Sequence, residues 1–344
     1  MANDLSRRQL ITQTGMIAAG LAASRIPAFG SSQGQMKPII LGDGSFKYEC
    51  HHEWLTPPEN MAFGDTHGVA QDAKGNIYLA HTVHPTSKID DAIVVYDQHG
   101  KFIKSWGARF KGGAHGIDIR REGHQEFIYH CDVAHHVVVK TTLDGDVVWE
   151  KGVPQEPGVY KDGAPFTPTN VAFSPDGGFY VGDGYGSSWI HQYDKNANWV
   201  RTFGGKGSAE GKVNTPHGLW LDSRGHEPLL AVADRSNRRI QYFSLDGKHV
   251  SFVTTGIRQP CHFHFRRDVM LMPDLQSVVT LLDKDNKVIT MLGDGDPSNL
   301  RDAPREKFIN GKFIHPHDAI FLHNGDILVS EWVPIGRVTL LKKV

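Results

Sequence analysis

Short stretches of alternating apolar and polar residues recur along most of the chain, separated by turns rich in Gly, Asp and Asn. The unit is plainest over 218–253. Gly218-Leu219-Trp220-Leu221, Leu229-Leu230-Ala231-Val232, Arg239-Ile240-Gln241-Tyr242-Phe243 and Val250-Ser251-Phe252-Val253 are four strand-like runs. Asp234-Arg235-Ser236-Asn237 bounds the second run, and Leu245-Asp246-Gly247-Lys248 turns into the fourth. No sustained helical period occurs outside the N-terminal segment.

Six units open in the same way: His67-Gly68-Val69-Ala70, His115-Gly116-Ile117-Asp118, Asn170-Val171-Ala172-Phe173, His217-Gly218-Leu219-Trp220, His262-Phe263-His264-Phe265 and His317-Asp318-Ala319-Ile320. Their starts lie 48, 55, 47, 45 and 55 residues apart. A repeat of ~40–50 residues with four strands predicts an all-β, six-bladed β-propeller. The first strand of each blade lines the channel in such a fold. His67, His115, His217, His262 and His317, with Asn170, are therefore expected to face one axis.

The last unit has three runs only, 317–322, 326–330 and 336–341. The segment 47–55 precedes the first unit and has no blade of its own. An open sheet edge is a liability, so this segment is expected to supply the outer strand of blade six and close the ring. Asp132, Asp183, Asp234, Asp274 and Glu331 follow the second runs, with His81 at that place in blade one. They are expected to accept backbone N–H groups in the turn to the third strand.

Composition narrows the reading. The chain has 344 residues and a formal net charge of −1, so no basic excess points to nucleic acid. Its 37 glycines and 18 prolines suit many tight turns. Three cysteines, Cys50, Cys131 and Cys261, without a CxxC spacing, argue against a disulfide framework. Ser6-Arg7-Arg8-Gln9-Leu10-Ile11, followed by a weak apolar run over 15–23, reads as a twin-arginine signal removed near Ala28 to Ser31. The run is too short to span a membrane. The expected organisation is a signal over 1–30 and one propeller domain over 31–344, periplasmic or secreted. The oligomeric state is left open.

A ring of imidazoles predicts a metal site. Zinc takes His nitrogens at ~2.0–2.1 Å, and a catalytic site keeps three protein ligands and an open position.

Several segments resemble the catalytic domain of the peptidylglycine α-amidating lyase family, a six-bladed propeller of the NHL-repeat type. They are 166–172 (Phe-Thr-Pro-Thr-Asn-Val-Ala), Val181-Gly182-Asp183-Gly184-Tyr185, Thr215-Pro216-His217-Gly218-Leu219, 232–241 (Val-Ala-Asp-Arg-Ser-Asn-Arg-Arg-Ile-Gln), Pro316-His317-Asp318 and Cys131-Asp132-Val133-Ala134-His135-His136. The resemblance runs over roughly 60–344. It implies one zinc on His115, His217 and His317, and Tyr185 as catalytic acid/base. It also implies a structural calcium on Asp318 with backbone carbonyls near Val69 and Ile117. The chain departs from the family in three places. Thr82, after His81, stands where the family has an arginine; His315 stands where it has a methionine; Gly186 stands where it has a disulfide cysteine.

The expected function is an exported, zinc-dependent, lyase-like enzyme acting on a small hydroxylated or carbonyl-bearing molecule or a peptide. Thr82 and His315 lead us to expect weak or no glyoxylate release from α-hydroxyglycine substrates. His67 and His262 are further channel histidines that could join the metal. The alternative is a lactonase-type hydrolase using metal-bound water, with His67, His262 or His315 as proton shuttle. A third reading is a non-catalytic NHL binding scaffold.

Overall fold

The computed structural model describes residues 37–161, 163–295 and 300–344. The twin-arginine segment lies outside these residues. The described chain forms six antiparallel sheets. Blade one is Thr66–Gln71, Ile77–His81, Ile93–Tyr96 and Phe102–Trp106. Blade two is Ala114–Glu122, Gln125–Asp132, Val137–Thr142 and Val147–Lys151. Blades three to five begin with Asn170–Phe173, Pro216–Asp222 and His264–Arg266 and run in simple meander order. The expected six-bladed propeller is the observed fold.

Blade six carries the closure. Pro316–Phe321, Ile327–Glu331 and Arg337–Lys343 come from the end of the chain. Tyr48–His51 then pairs with Arg337–Lys343, Tyr48 opposite Lys343 and His51 opposite Leu340. Ile40–Leu41 adds a fifth strand outside it, which the repeat pattern did not foretell. The seam is also packed. Ile320, Leu328, Val338 and Leu340 of blade six share one cluster with Val69, Ile77, Leu79 and Val94 of blade one. The core as a whole lies between neighbouring blade faces; Tyr180 and Ile190 of blade three against Leu219, Leu230 and Val232 of blade four is one such layer.

Asp132 accepts Ala134 N–H and His135 N–H in its turn as expected, and the other five residues at the ends of the second strands do more. Asp183 accepts Ser187 N–H in the following turn at 2.7 Å, and also Thr167 N–H from the loop entering its own blade at 2.6 Å. Asp234 accepts Asn214 N–H at 2.7 Å, Asp274 accepts Arg258 N–H at 2.9 Å, and Glu331 accepts Ile314 N–H at 2.7 Å. His81 does the same in blade one, its Nδ1 accepting Val83 N–H at 3.1 Å and Gly64 N–H at 3.4 Å. Each such group straps the entry loop to the strand beside it and so fixes where the inner strand begins. Cys50, Cys131 and Cys261 are all free thiols.

Closure makes a graded prediction. Tyr48 is 1 % exposed in the outer strand of blade six, and Ile40 in the added strand is 43 % exposed. Tyr48→Ala should cost about 3–5 kcal/mol in denaturant unfolding, the range for truncating a buried large aromatic. Ile40→Ala should stay within ~0.5 kcal/mol. Equal effects would mean that this strand does not seal the ring.

Candidate metal centre

The channel histidines sit in irregularities of their strands. In blades one, two and four the pairing with the second strand gains one residue between Thr66 and Val69, Ala114 and Ile117, and Pro216 and Leu219. In blade six the extra residue lies between Pro316 and Asp318. A β-bulge of this kind releases a residue from the ladder and re-aims its side chain. The released residues are His67, His115, His217 and His317. In blade three the pairing is regular at Asn170.

The glycine that follows His67, His115 and His217 has a steric cause; His317 is followed by Asp318 instead. A Cβ on Gly116 would lie 2.4 Å from Thr169 O, and one on Gly218 would lie 2.4 Å from Cys261 O. These same carbonyls hold the imidazoles. His115 Nδ1 is 2.7 Å from Thr169 O, and His217 Nδ1 is 2.7 Å from Cys261 O. A carbonyl only accepts, so Nδ1 carries the proton in both rings and Nε2 keeps a lone pair. The His-Gly pair is thus one device. Glycine lets the next blade's backbone approach, and the histidine ties itself to that backbone.

Four rings gather on the axis. Ring centroids are 4.7 Å apart for His67 and His115, 4.6 Å for His67 and His317, 4.9 Å for His115 and His217, and 4.7 Å for His217 and His317. Ligand atoms of His67, His115 and His317 all lie within 4.8 Å of one another. His67 Nδ1 and His317 Nε2 are buried and lack a hydrogen-bond partner. Burial holds all four imidazoles below their ordinary pKa, His115 at about 3, and the neighbouring rings and Arg235 push the same way. They are neutral at pH 7, the form that ligates a metal. Two buried, unpartnered imidazole nitrogens, with the His115 ligand atom within 4.8 Å of both His67 and His317, fit a transition ion such as zinc.

Tyr185 closes the mouth. It is 40 % exposed as a residue, yet its hydroxyl lies 2.9 Å from His217 Nε2 and 3.2 Å from His115 Nε2. Arg235 Nη1 donates to the same oxygen at 3.3 Å, and the guanidinium lies 5.1 Å from the ring centre. Burial raises the phenol pKa, and Arg235 opposes that rise. One phenol proton can serve only one of the two Nε2 lone pairs. The arrangement is rich in lone pairs and suits a cation.

Arg235 is the residue that the repeat pattern hid. It lies in the Asp234-Arg235-Ser236-Asn237 run that bounds the second strand of its blade and reads there as turn chemistry. The signal that could have found it is position: Arg235 follows the last residue of the second strand in blade four, as Thr82 does in blade one. Among the described residues no carboxylate pairs with Arg235. Arg301, by contrast, pairs with Asp65 at 2.9 Å and stacks over Trp332 at 3.8 Å.

Three expectations need correction or relocation. His262 is not free to ligate a metal. Its Nδ1 is 2.6 Å from Asp318 Oδ1 and its Nε2 is 3.1 Å from Asn170 Oδ1. Burial disfavours its charge, but Asp318 outweighs burial and raises its pKa, so both nitrogens act as donors. Asp318 in turn does not offer a calcium site. Its Oδ2 accepts Val69 N–H at 2.9 Å, and its Oδ1 accepts Ala319 N–H at 2.8 Å besides the imidazolium. Calcium needs 6–8 oxygen ligands at about 2.3–2.6 Å, whereas this pocket presents N–H donors. His315 is engaged elsewhere, its Nδ1 2.7 Å from Leu275 O and its ring 5.6 Å from Trp332.

No family model matches the chain. Mouse peptidyl-glycine alpha-amidating monooxygenase is 30 % identical over 277 residues, 72 % of this chain and 26 % of that protein. Drosophila melanogaster peptidyl-alpha-hydroxyglycine alpha-amidating lyase 1 is 27 % identical over 227 residues, 57 % of this chain and 40 % of that protein. Human NHL repeat-containing protein 3 is 28 % identical over 207 residues, 58 % of this chain and 57 % of that protein.

This chain is a six-bladed NHL-type propeller homologous to the amidating lyases. It spans about a quarter of the length of the amidating monooxygenases it matches. Among the described residues no helix is long and apolar enough to cross a membrane.

The His-Gly device can be tested without touching a ligand. Gly116→Ala places a methyl against Thr169 O and should cost about 1–3 kcal/mol by overpacking. It should also weaken zinc binding, because that carbonyl orients His115. Gly225→Ala, whose added Cβ meets nothing nearer than 3.7 Å, is the control. Unfolding and zinc titrations that cannot tell Gly116→Ala from wild type would contradict this account.

Proposed function

We propose that this propeller is a zinc-dependent, lyase-like enzyme acting on a small hydroxylated or carbonyl-bearing substrate. The observation that carries the reading is the Tyr185 hydroxyl, held against Nε2 of two channel histidines with a guanidinium beside it. The family resemblance suggests His115, His217 and His317 as ligands, and the trio whose ligand atoms lie within 4.8 Å of one another is His67, His115 and His317, so His67 would compete with or join His217 in holding the ion. The ion, when bound, would act as a Lewis acid that polarises a substrate oxygen and favours loss of its proton.

The rest of the chemistry belongs to the chain. Tyr185 Oη is placed to take a proton from a substrate hydroxyl and to return one to the leaving group. A free phenol has pKa ~10, so it needs positive charge nearby to act as a base near neutrality. Arg235 supplies part of that charge. Its guanidinium can also hold a substrate carboxylate or a developing negative charge. Neutral imidazoles leave that cation uncompensated until an anionic group enters. The relatives whose names specify hydroxyglycine lyase chemistry support a lyase over other enzymes on this fold.

The hydrolase alternative loses one of its three proton shuttles, because His262 is spent on Asp318; His315 has only its Nδ1 engaged, by Leu275 O. The twin-arginine pair Arg7-Arg8 supports the further reading that the folded protein is exported, to a periplasmic or secreted location, with a leader over 1–30.

The test is a substrate panel with one variant. Zinc-loaded protein should turn over small α-hydroxylated amides in preference to lactones, with weak glyoxylate release from α-hydroxyglycine peptides. Tyr185→Phe should keep its zinc and lose about 10²–10⁴ of the rate, the usual weight of a positioned acid/base group. Full activity in that variant, or a clear preference for lactones, would contradict the lyase reading.

A further inference from the structure

The His262–Asp318 pair divides the channel. On one side lie the four histidines. On the other lies a separate cavity of about 240 Å³, walled by Asp118, Trp220, His262, His264 and Gln71 and reaching exposed His323. Nothing in the chemistry proposed above uses this cavity.

Asp118 is its unusual member. The residue is 8 % exposed and lies on the inner strand of blade two, three residues after His115. Its Oδ1 accepts Ile119 N–H at 3.0 Å, while its Oδ2 is buried with no partner. An unpaired buried carboxylate oxygen is costly. The adjacent cation cannot relieve it, because both nitrogens of His262 are already engaged by Asp318 and Asn170. When Asp118 is ionised, Asp118, Asp318 and the His262 imidazolium together carry a net negative charge that no further cation among them offsets. Burial accordingly pushes the Asp118 carboxyl up to about 7, with His262 opposing the rise and Asp318 adding to it.

The walls say what kind of cation is missing. The Trp220 ring lies 5.0 Å from the His264 ring and 5.6 Å from the His262 ring. Burial lowers His264 to about 4, so of the two imidazoles beside Trp220 only His262 is charged at neutral pH, and its charge is directed to Asp318. Indole faces attract cations. A divalent metal would find one free carboxylate oxygen here, too few for the oxygen shell that calcium requires. An alkylammonium ion suits better, with N–H groups for Asp118 and C–H groups for the aromatic wall.

We propose that this cavity is a binding site for a small organic ammonium ion, held by Asp118 Oδ2 and the face of Trp220. The site is independent of the zinc chemistry and does not require it. The test is calorimetric titration of the full chain with methylammonium and tetramethylammonium chloride, with sodium and calcium chloride as controls. Wild type should bind an ammonium ion saturably at one site. Asp118→Asn, which keeps the shape and removes the charge, should weaken binding about tenfold or more, as expected for loss of a charge-assisted hydrogen bond. Trp220→Leu should weaken it as well, and serves alone if Asp118→Asn does not fold. Zinc content should be unchanged in both variants, so failure here is distinct from failure of the zinc site. No saturable ammonium binding to wild type, undiminished binding in the variants, or Asp118-dependent binding of calcium in preference to ammonium would overturn the proposal.

Discussion

The channel depends on one contact repeated around the axis: the backbone of one inner strand pressed against the His-Gly bulge of its neighbour. At His115 and His217 the contact is the same in chemistry and nearly the same in length. An Nδ1–H donates to the next blade's carbonyl at 2.7 Å, and a glycine leaves room for that carbonyl. The bond fixes the tautomer, the tautomer leaves Nε2 bare, and the bulge turns Nε2 toward the axis. Blade packing and ligand geometry are therefore one constraint. A side chain at Gly116 or Gly218 would push the blades apart and release the ligand together.

Blade six varies the device to a different end. Asp318 replaces the glycine after His317, and its carboxylate ties three elements together: its own strand at Ala319, blade one at Val69, and blade five at His262. The result is an internal ion pair across the channel. It supplies its own cation from the protein, which is why the pocket does not offer itself to calcium. Above it the lining is neutral imidazole, phenol and guanidinium; below it lies an acid without a partner. The two halves of the channel thus have opposite electrostatic needs, an anionic group near Arg235 and a cation near Asp118.

Much of the fold was legible because its signals are local and repeated. The alternation of residues 218–253, the recurrence of the unit openings every 45 to 55 residues and the missing fourth strand of the last unit each carry their own structural consequence. Closure by Tyr48–His51 followed from the cost of an open edge; the extra strand Ile40–Leu41 did not, because two residues carry no pattern. At the site, the gathering of His67, His115, His217 and His317 could be read from their shared place in the repeat. The engagement of His262 could not. Its position is that of the other histidines, and only the neighbouring carboxylate makes it a cation rather than a ligand. Arg235 was concealed for the opposite reason, since a run that reads as a turn masked a side chain lying against the Tyr185 hydroxyl. The strapping role of His81 and the second-strand carboxylates needs the entry loops in three dimensions and leaves no trace in spacing.

The account stands most directly on whether the ring of imidazoles holds one ion. X-ray absorption at the zinc edge on the purified, zinc-loaded protein measures both stoichiometry and ligand type. The account predicts one zinc per chain, three or four nitrogen neighbours at ~2.0–2.1 Å, and no sulfur shell. His115→Ala, His217→Ala or His317→Ala should each remove most of the bound metal. A protein that takes up no stoichiometric zinc, or binds it through sulfur or an all-oxygen shell, would contradict it.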